Sequence, residues 1–231
     1  YDINGQNITL ATLDNSGTFR LQGGETTVNI TTKDTNSGTV EYDGTGTYTT
    51  LLYGNSYYNV YFSAAGTFTP AASVTVNNNS TIANATVNLG NNAYTYTTTG
   101  IFALDSGAFT IATQGAYRTK MTAGSFSQSG GTYTTGSFAY TDINGNYSVN
   151  GGTFTQSASS YLYISGDYYL SGATYIQTTS ARVYFDGNTD AAIYAAQTFT
   201  LIIYINKGAS YTLTLNCDIT VGNFYISAGN I

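Results

Sequence analysis

Apolar and polar residues alternate along this chain in short runs, and glycine-containing corners separate the runs. In residues 132–134 and 153–155 an aromatic residue lies between two threonines, so the ring points to one side of a strand and both threonines to the other. Glycine suits the corners, which need a positive φ angle or the absence of a side chain. The pattern predicts many short β-strands, with one short helical turn in the alanine-rich residues 190–197.

The predicted strands recur with a period of about 21 residues, which is in the range of solenoid repeats. Residues 130–150 and 151–171 align over their whole length, and a weaker third copy follows. The matched pairs are Gly131 and Gly152, Tyr133 and Phe154, Ile143 and Ile164, and Tyr147 and Tyr168. One such repeat cannot bury its own apolar face, whereas stacked repeats cover one another. The sequence therefore predicts an all-β fold, a parallel β-solenoid (β-helix) with coils of roughly 21 residues.

No linker or change of composition divides the chain, so residues 1–231 are predicted to form a single β-solenoid domain. Triplets similar to the corner sequence Gly-Thr-Phe begin at Gly66, Gly107, Gly124 and Gly136, where the spacing is less regular. A solenoid tolerates coils of unequal length, because the extra residues form loops. The alternative fold is a β-sandwich filament subunit joined by a donated strand. That fold would show irregular strands rather than a repeat of about 21 residues.

Composition and charge indicate where such a chain works. Charged residues make up 8% of the chain, against about 25% in ordinary soluble domains. This neutral polar composition, without His or Trp, predicts an extracellular or cell-surface location. The net charge is −6 and the six Lys and Arg residues do not cluster, which excludes a nucleic-acid partner held by phosphate contacts. No apolar run of about 18 residues predicts a membrane-spanning helix, and the single Cys217 forms no internal disulfide.

Both ends of the chain have the sequence of a repeat interior and lack a charged or proline-rich cap. The chain also begins with Tyr1 rather than Met, so we expect a segment or repeating unit of a longer or polymeric assembly. Two interpretations stay open: trimmed caps in a fragment, or head-to-tail stacking into a homopolymer by strand addition. The candidate assembly residues are Tyr1, Ile3, Ile8, Phe224, Ile226 and Ile231.

Residues 142–146, 151–155 and 217–229 resemble the repeats of large secreted β-solenoid proteins of bacteria and archaea. Familiar members of that class are filamentous-haemagglutinin-like adhesins and autotransporter passengers. The resemblance covers most of the chain. It implies an extracellular surface protein that serves as a stalk, an adhesin or a filament, and it supplies no catalytic residues.

The residues needed for catalysis or for a cofactor are scarce. General acid–base catalysis needs His or paired carboxylates, but His is absent and the twelve acidic residues are scattered, mostly in turns. Calcium would need several oxygen ligands from adjacent coils, and the corner residues Asn144, Asp167 and Asn188 are too sparse. We therefore predict no enzyme activity, no catalytic residue, no metal and no cofactor, and calcium bound by stacked corner residues is the alternative that stays open.

Six asparagines fit the Asn-x-Ser/Thr sequence for N-glycosylation of a secreted protein. They are Asn7, Asn29, Asn78, Asn79, Asn84 and Asn146. The alternative is that they are unmodified asparagines in turns or on strand faces.

The function predicted from these observations is structural: a subunit or segment of an extracellular filament or stalk that assembles end to end with itself. An internal stack of Tyr133, Phe154 and Tyr175 is expected to hold the coils together. The alternative is an adhesin that binds glycan or a cell surface through an exposed Tyr/Asn/Thr face. The threonine pairs on two consecutive coils would suit ordered water, but the array breaks at residues 174–176, and β-propensity accounts for the threonines. Ice binding is therefore not predicted.

Overall fold

The computed structural model describes residues 1–90, 93–111, 120–195 and 201–231. These residues form 26 β-strands and contain no helix. All the strand pairings described are parallel, so the prediction of a parallel β-solenoid is confirmed and the β-sandwich alternative is wrong. The predicted helical turn at 190–197 is also wrong in its described part, where Ala191–Ala195 forms a strand that continues a buried ladder.

Each complete coil passes through three faces, which we name A, B and C in chain order. Face A contains β2 (Thr18–Leu21), β4 (Thr39–Tyr42), β7 (Asn59–Phe62), β10 (Ser80–Ile82), β17 (Tyr147–Val149), β20 (Tyr168–Leu170), β23 (Ala191–Ala195) and β25 (Leu213–Leu215). Face B contains β5 (Thr47–Tyr48), β8 (Thr67–Phe68), β11 (Thr86–Asn88), β13 (Ala108–Thr110), β15 (Thr132–Thr134), β18 (Thr153–Gln156) and β21 (Thr174–Gln177).

Face C contains β6 (Ser56–Tyr57), β9 (Val74–Val76), β16 (Tyr140–Ile143), β19 (Tyr161–Ile164), β22 (Arg182–Phe185), β24 (Leu201–Asn206) and β26 (Val221–Ala228). Two longer strands, β12 (Thr95–Leu104) and β14 (Lys120–Gln128), begin on face C and end on face A. At the N-terminal end, β1 (Ile8–Leu13) and β3 (Val28–Lys33) form a separate two-stranded sheet.

The spacing between paired strands confirms the predicted period of about 21 residues. The step from one coil to the next is constant through β15, β18 and β21, where Thr132 pairs with Thr153 and Thr153 with Thr174. Elsewhere the step is shorter, as from Thr67 to Thr86, or longer, as from Tyr168 to Ile193. Longer steps place the extra residues in corners, so the strand registers are kept.

Aromatic stacks that run along the solenoid axis form part of the core, beside many aliphatic side chains. On face B, the ring of Tyr133 stacks on Phe154 at 4.7 Å, and Phe154 stacks on Tyr175 at 5.4 Å, which is the arrangement expected from the sequence. On face A, Tyr147 stacks on Phe126 and on Tyr168, each at 5.1 Å. The two stacks meet edge to face, with Tyr147 at 85° to Phe154. This geometry adds to the stabilisation from burial alone.

Two buried tyrosines of these stacks differ in whether their hydroxyl group has a hydrogen-bond partner. Tyr133 shares a 2.8 Å hydrogen bond with Thr141 Oγ1, whereas the Tyr147 hydroxyl has no partner among the described residues. An unsatisfied buried hydroxyl costs about 1–3 kcal/mol. We expect Tyr147→Phe to leave the free energy of unfolding unchanged or raise it by about 1 kcal/mol, and Tyr133→Phe to lower it by about 1–2 kcal/mol.

Denaturant unfolding of the two variants checks this pair of expectations, because both changes keep the ring and remove only one oxygen. A larger loss of stability for Tyr147→Phe than for Tyr133→Phe would contradict the assignment of their hydrogen bonds.

Candidate functional site

A ladder of stacked tyrosines lies on the outside of face C. The tyrosine ladder consists of Tyr140, Tyr161, Tyr163, Tyr184, Tyr204 and Tyr225. Its members occupy outward positions because the residues between them, such as Leu162 and Val183, point into the core. Ring centroids are 4.8 Å apart between Tyr163 and Tyr184 and 4.5 Å apart between Tyr184 and Tyr204. This ladder was not predicted from the sequence, although the repeat spacing of its members was a usable signal.

The stacking decides which atoms the tyrosine ladder presents to a partner. Each ring inside the ladder covers the face of its neighbour, with 10° between the planes of Tyr184 and Tyr204. A sugar that stacks on an aromatic residue needs an uncovered ring face, whereas this ladder presents ring edges and hydroxyl groups. Tyr225 ends the ladder and is 48% exposed. The ladder therefore stabilises neighbouring coils against each other more than it forms a sugar-binding platform.

Charged groups accompany the tyrosine ladder. The guanidinium of Arg182 lies 5.7 Å from the ring centroid of Tyr161 and 5.8 Å from that of Tyr204. A hydrogen bond with Tyr184 raises the pKa of Arg182. Beside Tyr140, Lys120 and Asp142 form a 2.8 Å ion pair at the edge of a cleft of about 460 Å³. The cation–π contacts add to the cohesion of this face.

The C-terminal coil leaves core positions uncovered. Ile226 and Ile231 are 53% and 51% exposed, and Phe224 is half-buried. One coil earlier, the residue that pairs with Ile226 is Ile205, which is fully buried. Face A shows the same difference between the last two coils: Leu215 is 36% exposed, whereas its partner in the preceding coil, Ile193, is buried. The last coil thus presents an apolar surface with the shape and spacing of the solenoid interior.

The N-terminal end of the solenoid differs from the C-terminal end in which side chains and backbone groups it exposes. Tyr1 is 80% exposed, although its ring stacks on Phe19 at 6.3 Å. Ile3 is buried, so it does not contribute to an exposed end surface, and Ile8 is half-buried against the core. Strand β1 pairs with β3 on one side, and no other described strand pairs with it. Its open edge presents backbone donors and acceptors to a further parallel strand.

The six candidate glycosylation sites lie at the surface. Asn7, Asn29, Asn79, Asn84 and Asn146 are exposed, and Asn78 is half-buried. In two of the six, the amide nitrogen to which a sugar would attach donates a hydrogen bond, from Asn78 to Asn59 Oδ1 at 2.9 Å and from Asn84 to the Ser63 carbonyl oxygen at 3.4 Å. Glycosylation of the six asparagines stays a prediction.

Hydrogen bonds within the protein occupy two of the corners considered for calcium. Asp167 accepts hydrogen bonds from the Tyr169 hydroxyl and from the backbone N–H of Ala192. Near Asn188, the ammonium of the buried Lys207 donates to three backbone carbonyls, at distances of 2.8 to 3.0 Å. Burial lowers the pKa of Lys207. No three His, Cys, Asp or Glu side chains group closely enough to hold a metal ion in the described part of the chain.

Comparisons with protein-family models, with curated proteins and with solved structures find no match to this chain. The resemblance to secreted β-solenoid proteins is therefore supported at the level of the fold, a β-helix built from repeats, and not at the level of a particular family. No helix in the described ranges has the length and apolar character needed to cross a membrane.

Proposed function

We propose that this chain is a structural element of an extracellular filament or stalk, in which copies of the chain stack head to tail as one continuous β-solenoid. The observation that carries the proposal is the C-terminal coil, where inward-facing Ile226 is 53% exposed although its partner in the preceding coil, Ile205, is fully buried. One more coil would bury these side chains and stabilise the contact by about 25 cal/mol for each Å² of apolar surface removed from water.

The two ends are complementary in their backbone on face A. Face A begins with the bridge between Asp2 and Arg20 and finishes with the bridge between Thr212 and Asn230. In a parallel sheet, the donors and acceptors on one edge match those on the opposite edge, so the last coil of one copy can pair with the first coil of the next. Such a head-to-tail contact does not close on itself and generates an open fibre.

The outer surface is compatible with a rod that meets solvent along its length. Charged residues are few, and the tyrosine ladder joins five consecutive coils from β16 to β26. The alternative function, an adhesin that binds glycan through an exposed face, stays a prediction, and the covered ring faces of the ladder do not favour it. The absence of enzyme activity and the extracellular location also stay predictions.

The test uses two lysine substitutions on the same strand, β26. Ile226→Lys places a charge at a position that faces the interior of the proposed contact, whereas Asn223→Lys lies at an outward position and is the matched control. We expect the unaltered chain and Asn223→Lys to form assemblies whose mass grows with concentration, and Ile226→Lys to stay monomeric, because a buried unpaired charge is costly. Light scattering after size-exclusion chromatography measures the mass.

A monomer at every concentration for the unaltered chain would contradict the proposal, as would equal assembly of both lysine variants. Far-UV circular dichroism of all three proteins establishes that the substitutions leave the solenoid folded.

A further inference from the structure

Face B carries a regular array of threonines that could be recognised in the sequence on only two coils. In seven consecutive coils, an inward residue such as Phe68 or Tyr133 is flanked by two outward positions, one before it and one after it. These fourteen positions form the threonine array. Its first column is Thr47, Thr67, Thr86, Ala108, Thr132, Thr153 and Thr174, and its second is Thr49, Thr69, Asn88, Thr110, Thr134, Thr155 and Ile176.

β-propensity does not explain this distribution. Eleven of the fourteen positions are threonine, although threonine accounts for 41 of the 231 residues of the chain. On face C, outward threonines occur at Thr75, Thr95, Thr97 and Thr122, but the outward positions of the next three strands, β16, β19 and β22, carry tyrosine, aspartate and arginine. All of these are parallel strands of the same solenoid, so a preference of threonine for β-structure would act on both faces alike. The concentration of threonine on face B therefore needs a cause outside the fold.

The threonine array repeats in two directions. Neighbouring strands pair without a register shift from β5 to β21. Rows are therefore about 4.8 Å apart along the solenoid axis, and the two columns are about 6.6 Å apart, two residues along a strand. The first column extends for roughly 29 Å from Thr47 to Thr174. The β-branched side chain restricts χ1, so the hydroxyl and methyl groups have nearly fixed positions before any partner arrives.

The side chains of the threonine array are uncharged and nearly all of one kind. None of its fourteen positions carries a charge, and the aromatic residues of face B, such as Phe109 and Phe154, point inward. Each hydroxyl can donate one hydrogen bond and accept two, while each methyl group limits where neighbouring water can lie. A surface of this kind offers water hydrogen-bonding groups at fixed, repeating positions.

We infer that face B binds the surface of ice. A two-dimensional lattice of anchors is complementary to a partner that itself repeats in two dimensions, and water frozen into a crystal is such a partner. The irregular surface of an ordinary globular protein does not repeat in this way. A crystalline polysaccharide repeats as well, but the threonine array has no exposed aromatic ring on which a sugar could stack. The inference is independent of head-to-tail assembly, because face B lies along the side of the solenoid.

The test measures the effect of the purified chain on ice growth, with ice itself as the probe. Thr134→Lys places a long charged side chain inside the threonine array, and Thr153→Lys repeats the change in the other column. Thr81→Lys is the matched control, since Thr81 is a half-buried outward threonine on face A, between Tyr61 and Ala103. All variants change the net charge equally.

We expect the unaltered chain and Thr81→Lys to depress the temperature at which an ice crystal grows below its melting temperature, and to partition into growing ice. Thr134→Lys and Thr153→Lys are expected to lose both effects while keeping the same thermal unfolding midpoint. The inference would be overturned by an unaltered chain without effect on ice, by equal activity of all variants, or by binding to insoluble polysaccharide that depends on the same threonines.

Discussion

The solenoid is expected to unfold as a unit when the pH is raised about one unit above 10, the ordinary pKa of tyrosine. Seven tyrosines are fully buried in the described residues: Tyr42, Tyr53, Tyr57, Tyr96, Tyr133, Tyr147 and Tyr168. Burial raises the pKa of each, to about 12 for Tyr53 and well above the ordinary value for Tyr57, Tyr147 and Tyr168. The folded state therefore retains phenol protons that the unfolded chain releases.

The sign of the effect follows from these raised pKa values. Stability from the protonated phenols is complete below pH 10, the pKa in the unfolded chain, and falls as the pH rises towards the folded-state values. Each buried tyrosine contributes a slope of about 1.4 kcal/mol per pH unit, so seven give roughly 10 kcal/mol per pH unit. Since a domain is stable by about 5–15 kcal/mol, this is enough to unfold it near pH 11.

The measurement follows tyrosinate absorbance and far-UV circular dichroism on the same samples as the pH is raised. The part of the tyrosinate absorbance that comes from the seven buried tyrosines should rise in one steep transition, together with the loss of the circular dichroism signal. Tyr147→Phe should move the transition to higher pH, because it removes one buried phenol. Gradual ionisation of all tyrosines with an unchanged circular dichroism signal would contradict the burial of the aromatic stacks.

The second large effect is expected at the glycine corner before face B. Gly152 has a φ angle of +72°, and an added Cβ would lie 2.3 Å from the carbonyl oxygen of Gly131 in the preceding coil. An alanine there combines an unfavourable backbone conformation with a collision against backbone that cannot move without disturbing the next coil. We expect Gly152→Ala to lower the free energy of unfolding by about 3 kcal/mol or more.

Gly17→Ala is the matched control for the glycine corner. A Cβ at Gly17 has open space around it, and its φ angle is not in the left-handed region. We expect a change within about 0.5 kcal/mol for this variant. Denaturant unfolding of both proteins measures the difference, and similar stabilities would show that coils are not packed as closely at this corner as described.

The part of the fold that the sequence predicted depends on positions that recur at the regular coil spacing. Tyr133 and Phe154 could be recognised as equivalent because one coil has one inward residue at the middle of each short strand. The same regularity makes the glycine corner visible, since Gly131 and Gly152 must both avoid a Cβ. Where the coil length is constant, the period of the sequence repeat directly gives the pairing register between neighbouring strands.

The sequence was less informative where coils differ in length. Gly124 begins a Gly-Ser-Phe triplet similar to the corner sequence, yet it lies inside β14, where the chain passes from face C to face A. Gly136 begins another, and its Phe138 is 48% exposed at a φ angle of +61°. Local composition cannot distinguish these cases, because only the pairing with the coil on either side assigns a residue to a face.

The candidate sites were hidden for a related reason. The threonine array spans coils of unequal length, such as the short step from Thr67 to Thr86 and the longer step from Ala108 to Thr132. A search for sequence repeats at one fixed period therefore finds only two of the seven rows of the threonine array. The ammonium of the buried Lys207 binds three carbonyls from two corners, those of Ser165 and of Asp186 and Thr189, and no neighbouring residue in the sequence indicates this. Contacts between corners depend on where the loops of several coils meet, which a repeat pattern does not specify.

The central claim is that copies of this chain continue one another as a single stack of coils. Electron microscopy of the purified chain at high concentration tests it most directly. About ten coils, each about 4.8 Å high, make roughly 50 Å per copy. We expect unbranched filaments that repeat at about that distance and that Ile226→Lys abolishes. Discrete rods of single-copy length at every concentration, or filaments with a much shorter rise per copy, would contradict the claim.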